Sequence, residues 1–248
     1  MKRRELLLLG LGAQLRTTPA GAAPDTLRVA MVQHDIEGWI ALNVLRAAYE
    51  RAGLRLVPSM LPTLRASIAV ATGEADAELM RAQSYGDDHP ELVRVPTPFY
   101  RVHMHAYWMP GGQVRVSTSE DLRRYRVGIV RGLRASAETV ARVPGLQPSY
   151  AINHEQLCRM LQAGHIDVAV DTQLRMRQML SKLGMLSLHA TQESPELASI
   201  ALYHYVARTC SAQAPRIDAA IRALGPAALD RLAAQSTLAA LQMKPGAF

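Results

Sequence analysis

Two segments of this chain, ninety-one residues apart, carry the same short pattern, Gly-x-x-Asp followed by an apolar run. One begins at Gly73 and contains Asp76, and the other begins at Gly164 and contains Asp167. Each follows a stretch with apolar residues at helical spacing, and a glycine just past a helix can take the left-handed conformation that closes it. The residues after each glycine are typical of a buried strand. The repeat therefore predicts two similar α/β units.

The two predicted strands lead to opposite charges. The first run reaches Arg81 and the second reaches Asp171. A guanidinium can bind a carboxylate through two parallel hydrogen bonds, whereas an unpaired buried carboxylate is costly and needs a cationic partner. We therefore expect two lobes that face one cleft, each offering one charge to a zwitterionic ligand. Two alternatives stay open: Arg81 pairs with Glu78 or Asp87, and Asp171 caps the helix that follows it.

The order of the remaining elements favours parallel sheets. In the first half, the pattern predicts strands at residues 27–32, 54–58 and 75–79, with helices at 40–52 and 62–72 between them. Strands that alternate with helices imply parallel pairing through helical crossovers. In the second half, strands are expected at 125–130 and 149–152, and helices at 136–142, 155–163 and 176–183.

Two long alternating stretches, residues 102–108 and 200–206, are predicted to cross between the lobes. Helices at 215–224 and 227–241 would then pack back on the first lobe. A pair of crossing segments can act as a hinge. The predicted division is a signal peptide at 1–22, a first lobe at 24–100 and 200–248, a second lobe at 101–199, and hinge segments near 97–108 and 194–206.

The first 22 residues have the composition of an export signal. Lys2, Arg3 and Arg4 give a basic start, residues 6–15 are apolar, and residues 20–22 are small. The alternative is a disordered N-terminal tail. Removing this segment takes away four basic residues and one acidic residue, so the net charge falls from +7 to +4. No later stretch approaches the roughly 20 apolar residues of a membrane span. We expect an exported, soluble protein in a bacterial periplasm.

Neither nucleic acid nor a metal is expected as a partner. The basic residues are scattered and no aromatic-rich basic motif occurs. His103 and His105 would share one face of a strand, but two histidines without a third ligand are weak evidence for a metal. Cys158 and Cys210 could pair in an oxidising compartment, although their placement in different lobes favours two separate buried thiols. We predict no cofactor.

In their order and spacing, these elements resemble the bacterial extracellular solute-binding proteins of the polar amino-acid uptake family. The resemblance covers nearly all of residues 25–242, and it rests on the segments 27–30, 73–76, 121–129 and 164–171. It implies a two-lobed, periplasmic-binding-protein-like α/β fold, in which each lobe is a mostly parallel sheet flanked by helices and two segments cross between the lobes.

The resemblance also implies roles for particular residues. In that family, a first-lobe arginine grips the ligand's α-carboxylate, and an aspartate after the second glycine pattern binds its ammonium group. Asp171 matches the aspartate. Arg81 follows Asp76 by five residues, where the family places its arginine about nine residues on. The family's second-lobe Gly-Thr pair is here Gly132 and Leu133, which supplies no hydroxyl.

Other residues are candidates for ligand contact because of their predicted positions. Arg131, Gly132 and Ser136 belong to a strand-to-helix loop, where backbone N–H groups can receive an anion. Glu78 lies among apolar residues and faces either the cleft or solvent. His34 and Trp39 follow the first strand, where Trp39 either stacks on the ligand or caps the core. The full set of predicted ligand-binding residues is Arg81, Asp171, Arg131, Gly132, Ser136, Trp39, Glu78 and His34.

The favoured hypothesis is a monomeric periplasmic protein without catalytic activity. It would capture a small zwitterionic or carboxylate ligand, such as an amino acid, for an ABC-type uptake system with a membrane permease. One alternative is an accessory or sensory protein with a degenerate pocket and a periplasmic protein partner. Another is a dehydratase-like enzyme on the same fold, with Glu78 or His34 transferring the proton.

Overall fold

A parallel sheet forms the centre of the first lobe. The computed structural model describes residues 25–185 and 191–243, so the predicted signal peptide lies outside the described residues. Strand β1 (Thr26–Val32) pairs in parallel with both β2 (Arg55–Leu61) and β3 (Ala77–Ala82), as the predicted order of strands and helices requires. The elements of this part are β1 (Thr26–Val32), α1 (Ile36–Arg51), β2 (Arg55–Leu61), α2 (Thr63–Ala66) and β3 (Ala77–Ala82).

Helix α1 covers this sheet with an apolar stripe. Ile40, Val44 and Ala48 recur at helical spacing and are fully buried. Asp35 caps the helix, because its carboxylate accepts a hydrogen bond from the Glu37 backbone N–H at 3.2 Å. The two C-terminal helices pack against α1 from the far end of the chain; they are α6 (Ala214–Leu224) and α7 (Pro226–Gln242).

The helix predicted over residues 62–72 stops after one turn. Helix α2 ends at Ala66, and the chain continues in hydrogen-bonded turns. The Ser67 hydroxyl donates to the Leu64 carbonyl at 2.8 Å, and the Thr72 hydroxyl donates to the Ile68 carbonyl at 3.1 Å. Hydroxyl groups that compete for backbone acceptors in this way weaken a helix, and periodicity alone does not register them.

The second lobe repeats the parallel arrangement. Strand β6 (Val127–Val130) lies between β7 (Ser149–Ala151) and β8 (Val168–Thr172) and pairs in parallel with both. Helices pack around these three strands and complete a second core. The elements are β6 (Val127–Val130), α3 (Arg134–Ala141), β7 (Ser149–Ala151), α4 (His154–Gln162), β8 (Val168–Thr172) and α5 (Gln173–Lys182).

Two long antiparallel strands, β5 (Tyr100–Trp108) and β10 (Ala198–Ala207), cross between the lobes. The sequence predicts a separate sheet in each lobe, but in the structure one hydrogen-bonded path runs β2-β1-β3-β10-β5-β8-β6-β7. The sheets join because each crossing strand is shared: β10 pairs with β3 and β5, and β5 continues to β8. Two short strands lie off this path, β4 (Leu92–Arg94) beside β10 and β9 (Gln192–Glu193) beside β5.

The repeated Gly-x-x-Asp pattern forms the same structure in both lobes. Asp76 binds Arg28 of β1 at 2.8 Å, and Asp167 binds Arg126, the residue before β6, at 2.6 Å. Each arginine also donates to the carbonyl of the glycine three residues before its aspartate, at 3.0 and 2.8 Å respectively. The two glycines have φ values of +73° and +68°, which closes the preceding turn as predicted.

Each lobe has its own buried core. Cys210 lies in the apolar cluster of the first lobe and Cys158 in a cluster of the second. Both are buried free thiols, which confirms the prediction of two separate cysteines. None of the helices in the described part of the chain is long and apolar enough to cross a membrane.

Candidate functional site

A cavity lies between the lobes, where the carboxyl ends of parallel strands from both sheets meet. The first lobe contributes the end of β1, the following loop with Asp35, and strand β3. The second lobe contributes residues 132–135 at the start of α3, and Arg175 of α5. The cavity leaves about 70 Å³ for the centres of water-sized molecules. One water needs roughly 10–15 Å³ by this measure, so there is room for a ligand of a few heavy atoms.

Arg81 and Glu78 both line this cavity, and they bind each other. Arg81 donates to Glu78 Oε2 from Nε at 3.1 Å and from Nη2 at 2.8 Å. The guanidinium also lies 4.8 Å from the centre of the Tyr85 ring. Burial raises the pKa of the Glu78 carboxyl, and the adjacent Arg81 charge partly offsets this effect. Arg81 therefore lines the cleft and also pairs with Glu78, which the sequence left open as an alternative to ligand binding.

The start of α3 faces the cavity from the opposite lobe. Gly132 has a φ of +84°, which favours glycine at this position, and a Cβ atom there would meet nothing within 4 Å. Leu133, the residue before the helix, is apolar and supplies no side-chain acceptor for the first turn. Backbone N–H groups of α3 thus point toward its N-terminal end without a side-chain cap, which is the usual arrangement for receiving an anion.

Asp35 and Arg175 form an ion pair between the lobes. Arg175 donates from Nε to Asp35 Oδ1 at 2.8 Å and from Nη2 to Oδ2 at 2.9 Å, and both side chains are only 10% exposed. Glu37 Oε2 lies 3.7 Å from Arg175 Nη1. Burial raises the pKa of Asp35, but the charge and hydrogen bonds of Arg175 outweigh it, so this pKa lies below its ordinary value.

Asp171 is not at the position that the sequence predicts. It is fully buried and is not among the residues that line the cavity with Arg81. Its Oδ1 accepts the Thr172 backbone N–H at 2.7 Å, and its Oδ2 lies 3.1 Å from His154 Nε2, although those two atoms are not aligned as a hydrogen bond. The carboxylate at the end of this apolar strand therefore has a histidine of α4 beside it, and its charge also raises the pKa of Arg175 and of Glu37 in the first lobe.

Four further predicted ligand contacts also lie away from the cavity. Ser136 is buried within α3, and Arg131 is exposed with its guanidinium 5.6 Å from the centre of the Tyr150 ring. His34 is exposed in the loop after β1, and Trp39 packs against the apolar cluster between α1 and α7. Of the eight predicted residues, the structure brings together Arg81, Glu78 and Gly132.

The ion pair between the lobes was not predicted from the sequence, although the positions of its two residues in the sequence indicate it. Asp35 follows β1 and Arg175 follows β8, so each lies just beyond the carboxyl end of a parallel strand in its own lobe. Such positions meet at one edge of an α/β structure and commonly bind ligands. Two further contacts bridge the lobes near the cavity, between Arg134 and Asp88 and between Ser84 and Glu138.

Metal binding has no support from the side-chain geometry. Within residues 25–185 and 191–243, no three His, Cys, Asp or Glu side chains lie together in a way that could hold a metal ion. His103 and His105 instead lie within ion-pair distance of Glu196 and Glu193, at 2.8 and 3.3 Å.

Two lobes of mostly parallel sheet, two crossing strands and a cavity between the lobes define a periplasmic-binding-protein fold, as the sequence predicts. No protein-family model matches the chain, and no curated protein sequence matches it. Solved structures do match. An ancestral arginine-binding protein bound to arginine superposes with a TM-score of 0.66 and 15% identity, over 86% of this chain and 99% of that one.

Two other neighbours show the range of proteins with this fold. The amino acid ABC transporter substrate-binding protein AbpA from Streptococcus pneumoniae, bound to L-arginine, has a TM-score of 0.66 and 13% identity, covering 88% of this chain and 97% of its own. A histidine kinase sensor domain with similarity to periplasmic binding proteins has a TM-score of 0.68 and 15% identity, covering 86% and 96%. At these identities the likeness establishes the fold.

Proposed function

We propose that this protein is an extracytoplasmic solute-binding protein that holds a small, amino-acid-like carboxylate ligand between its lobes, without catalysing a reaction. The observation that carries the proposal is the cavity that Arg81 of one lobe and the start of α3 in the other both line. A carboxylate between them would meet a fixed cation on one side and backbone N–H donors on the other.

Arg81 retains capacity for a ligand. A guanidinium carries five N–H donors, and the two hydrogen bonds to Glu78 leave the others for a carboxylate. Glu78 in turn is the carboxylate closest to this guanidinium in the cavity wall. We infer that Glu78, rather than Asp171, receives the ammonium group of a zwitterionic ligand.

The space in the cavity bears on the size of the ligand. It has room for a few heavy atoms and is partly open to solvent, so a longer amino acid would extend out of it or require the lobes to move apart. The crossing strands β5 and β10 are the connections about which such a movement would occur. We place the hinge segments near 97–108 and 194–206, and the lobe boundaries at 100–101 and 199–200, on this basis.

The binding test is calorimetric titration of the protein, refolded from denaturant to remove any carried ligand, with a panel of small amino acids and short carboxylates. At least one compound is expected to bind with a Kd below 1 mM, which corresponds to about −4 kcal/mol. Arg81→Met is expected to weaken that binding at least tenfold. Arg101→Met is the matched control, because Arg101 is exposed on β5 and does not line the cavity. Absence of binding across the panel, or equal loss in both variants, would contradict the proposal.

We further propose that the protein is exported to the periplasm through residues 1–22 and works as a monomer that delivers its ligand to an ABC-type permease. The support is the composition of the N-terminal segment together with the binding-protein fold. Pull-down of a membrane permease by the ligand-loaded protein, and not by the Arg81→Met variant, tests the transport role.

A sensory or accessory role is the second candidate. One specific observation favours it: Arg175 and Asp35 already bind each other inside the cleft, in the place where a ligand would join the lobes. A histidine kinase sensor domain also has this fold. Co-purification of a periplasmic protein partner, without ligand binding in the calorimeter, would favour this role over transport.

A further inference from the structure

We propose that Asp35 and Arg175 form an intramolecular latch that holds the two lobes closed in the absence of any ligand. This inference goes beyond ligand binding, because it concerns the resting state of the empty protein. The latch is defined as these two residues, one from each lobe and 140 positions apart in the sequence.

The geometry of the latch is that of a strong charge-assisted contact. Two nitrogens of the guanidinium meet the two oxygens of the carboxylate at 2.8 and 2.9 Å, which is the bidentate arrangement. Both side chains are about nine-tenths buried, so water screens their attraction poorly. Arg175 is anchored in the first turn of α5, and Asp35 is anchored as the cap of α1.

The carboxyl groups around the latch stabilise the positive charge of the Arg175 guanidinium. Glu37 of α1 lies 3.7 Å from Arg175, and its Oε2 atom has no hydrogen-bond partner. Asp171 of β8 adds a third buried carboxylate, with His154 of α4 beside it. The cluster thus contains three carboxyl groups near one guanidinium, and Arg175 is the cation that offsets their charges. Opening the lobes would separate Asp35 from this cation, and the loss of the bidentate contact opposes opening.

The latch lies beside the proposed position of the ligand. Asp35 and Arg175 line the same cavity as Arg81 and the start of α3. In the proposed binding mode, a ligand gains affinity from contacts with both lobes that exist only when the lobes are closed. The latch makes such contacts from within the chain. The open state, through which a ligand enters, is then a minor population of the empty protein.

The test measures the distance between the lobes of the ligand-free protein by pulsed electron paramagnetic resonance. Spin labels are attached to cysteines introduced at Gln235 of α7 and at Arg123 near β6, both of which are exposed. The wild-type latch is expected to give one short-distance population. Arg175→Ala is expected to shift most of the distribution to a longer distance.

A second latch variant distinguishes loss of the ion pair from misfolding. Asp35→Asn keeps a side-chain acceptor at the cap of α1 but removes the charge, so it tests the ion pair while preserving the helix. It is expected to lengthen the distance as well. Arg177→Ala is the matched control on the same helix: Arg177 is 57% exposed and contacts Glu193, and its removal is expected to leave the wild-type distribution.

Two results would overturn the latch. One is a ligand-free wild-type protein that is already predominantly open. The other is an Arg175→Ala or Asp35→Asn variant that is folded by circular dichroism and still gives the wild-type distance distribution. Because no ligand is added, these results are independent of the calorimetric test, and the failure of one proposal is distinguishable from the failure of the other.

Discussion

Replacing Glu37 with glutamine is expected to change how the stability of this protein depends on pH. Glu37 is 3% exposed, and burial raises the pKa of its carboxyl to about 7, although the charge of Arg175 pulls it down and that of Asp35 pushes it up. The folded protein therefore binds a proton on Glu37 over a pH range in which the unfolded chain has already lost it.

The sign and size follow from this difference. A carboxyl whose pKa is raised on folding contributes stability that is fully present below its ordinary value of 4.5 and is lost as the pH rises through about 7. The interval of about 2.5 pH units corresponds to about 3 kcal/mol of unfolding free energy, at 1.36 kcal/mol for each unit. The wild type is expected to lose stability relative to Glu37→Gln by roughly this amount between pH 4.5 and 8.

The assay is urea denaturation of both proteins at half-unit steps of pH, and the quantity of interest is the difference between their unfolding free energies. Taking the difference cancels groups that both proteins share. One of these is His204, whose pKa burial lowers to about 4, so that its contribution is lost as the pH falls. Glu50→Gln is the control, because Glu50 is exposed on the same helix. A difference between wild type and Glu37→Gln that stays constant with pH would refute the reasoning.

Four other substitutions have expected outcomes. Asp76→Asn and Asp167→Asn are each expected to lower the urea midpoint, by similar amounts, because each removes the negative charge and one of the two acceptor oxygens from an equivalent contact with an arginine; the double variant should show the sum. Gly128→Ala is expected to destabilise the protein by about 1–3 kcal/mol in a thermal melt, because the added Cβ would lie 2.5 Å from a buried isoleucine side chain. Tyr49→Phe is expected to cost about 1–3 kcal/mol by urea denaturation, because it leaves the buried His204 Nε2 without its donor at 2.8 Å.

Matched controls exist for these variants. Asp230→Asn removes a carboxylate from α7 and is expected to leave the midpoint unchanged within about 0.5 kcal/mol, the usual range for surface substitutions away from special contacts. Gly112→Ala is expected to be neutral, since its added Cβ would meet only one backbone atom, at 4.0 Å. Tyr150→Phe tests an exposed tyrosine. A loss at a control as large as that at its test position would contradict the explanation given for that position.

Much of the fold could be predicted because its signals are local. The alternation in β1 and in the two crossing strands records which face of each strand is buried, and the repeated glycines mark where helices end. These features depend on neighbours within a few residues, so the sequence displays them directly. Helix α2 is shorter than predicted because the hydroxyl groups of Ser67 and Thr72 compete for backbone carbonyls in and just after it.

The candidate site was predictable only in part. Arg81, Glu78 and Gly132 lie at the cavity because the ends of β3 and β6 bring them there. The neighbour of Asp171 could not be predicted, because His154 belongs to a different element and only packing brings them together. The same holds for Arg175, whose carboxylate lies 140 residues away in the other lobe. Charge pairs of this kind depend on how the lobes meet, which no local pattern encodes.

The central place of β10 in the sheet has a consequence for biosynthesis. Its residues 198–207 pair with β3, whereas the parallel strands of the second lobe all lie within residues 127–172. A ribosome that has released residue 185 has therefore supplied every parallel strand of one half of the molecule, while the other half still lacks an interior strand and its last two helices. Contiguous units generally fold as they emerge from the ribosome. The second lobe, which the middle of the mRNA encodes, is therefore expected to become resistant to proteases first during translation.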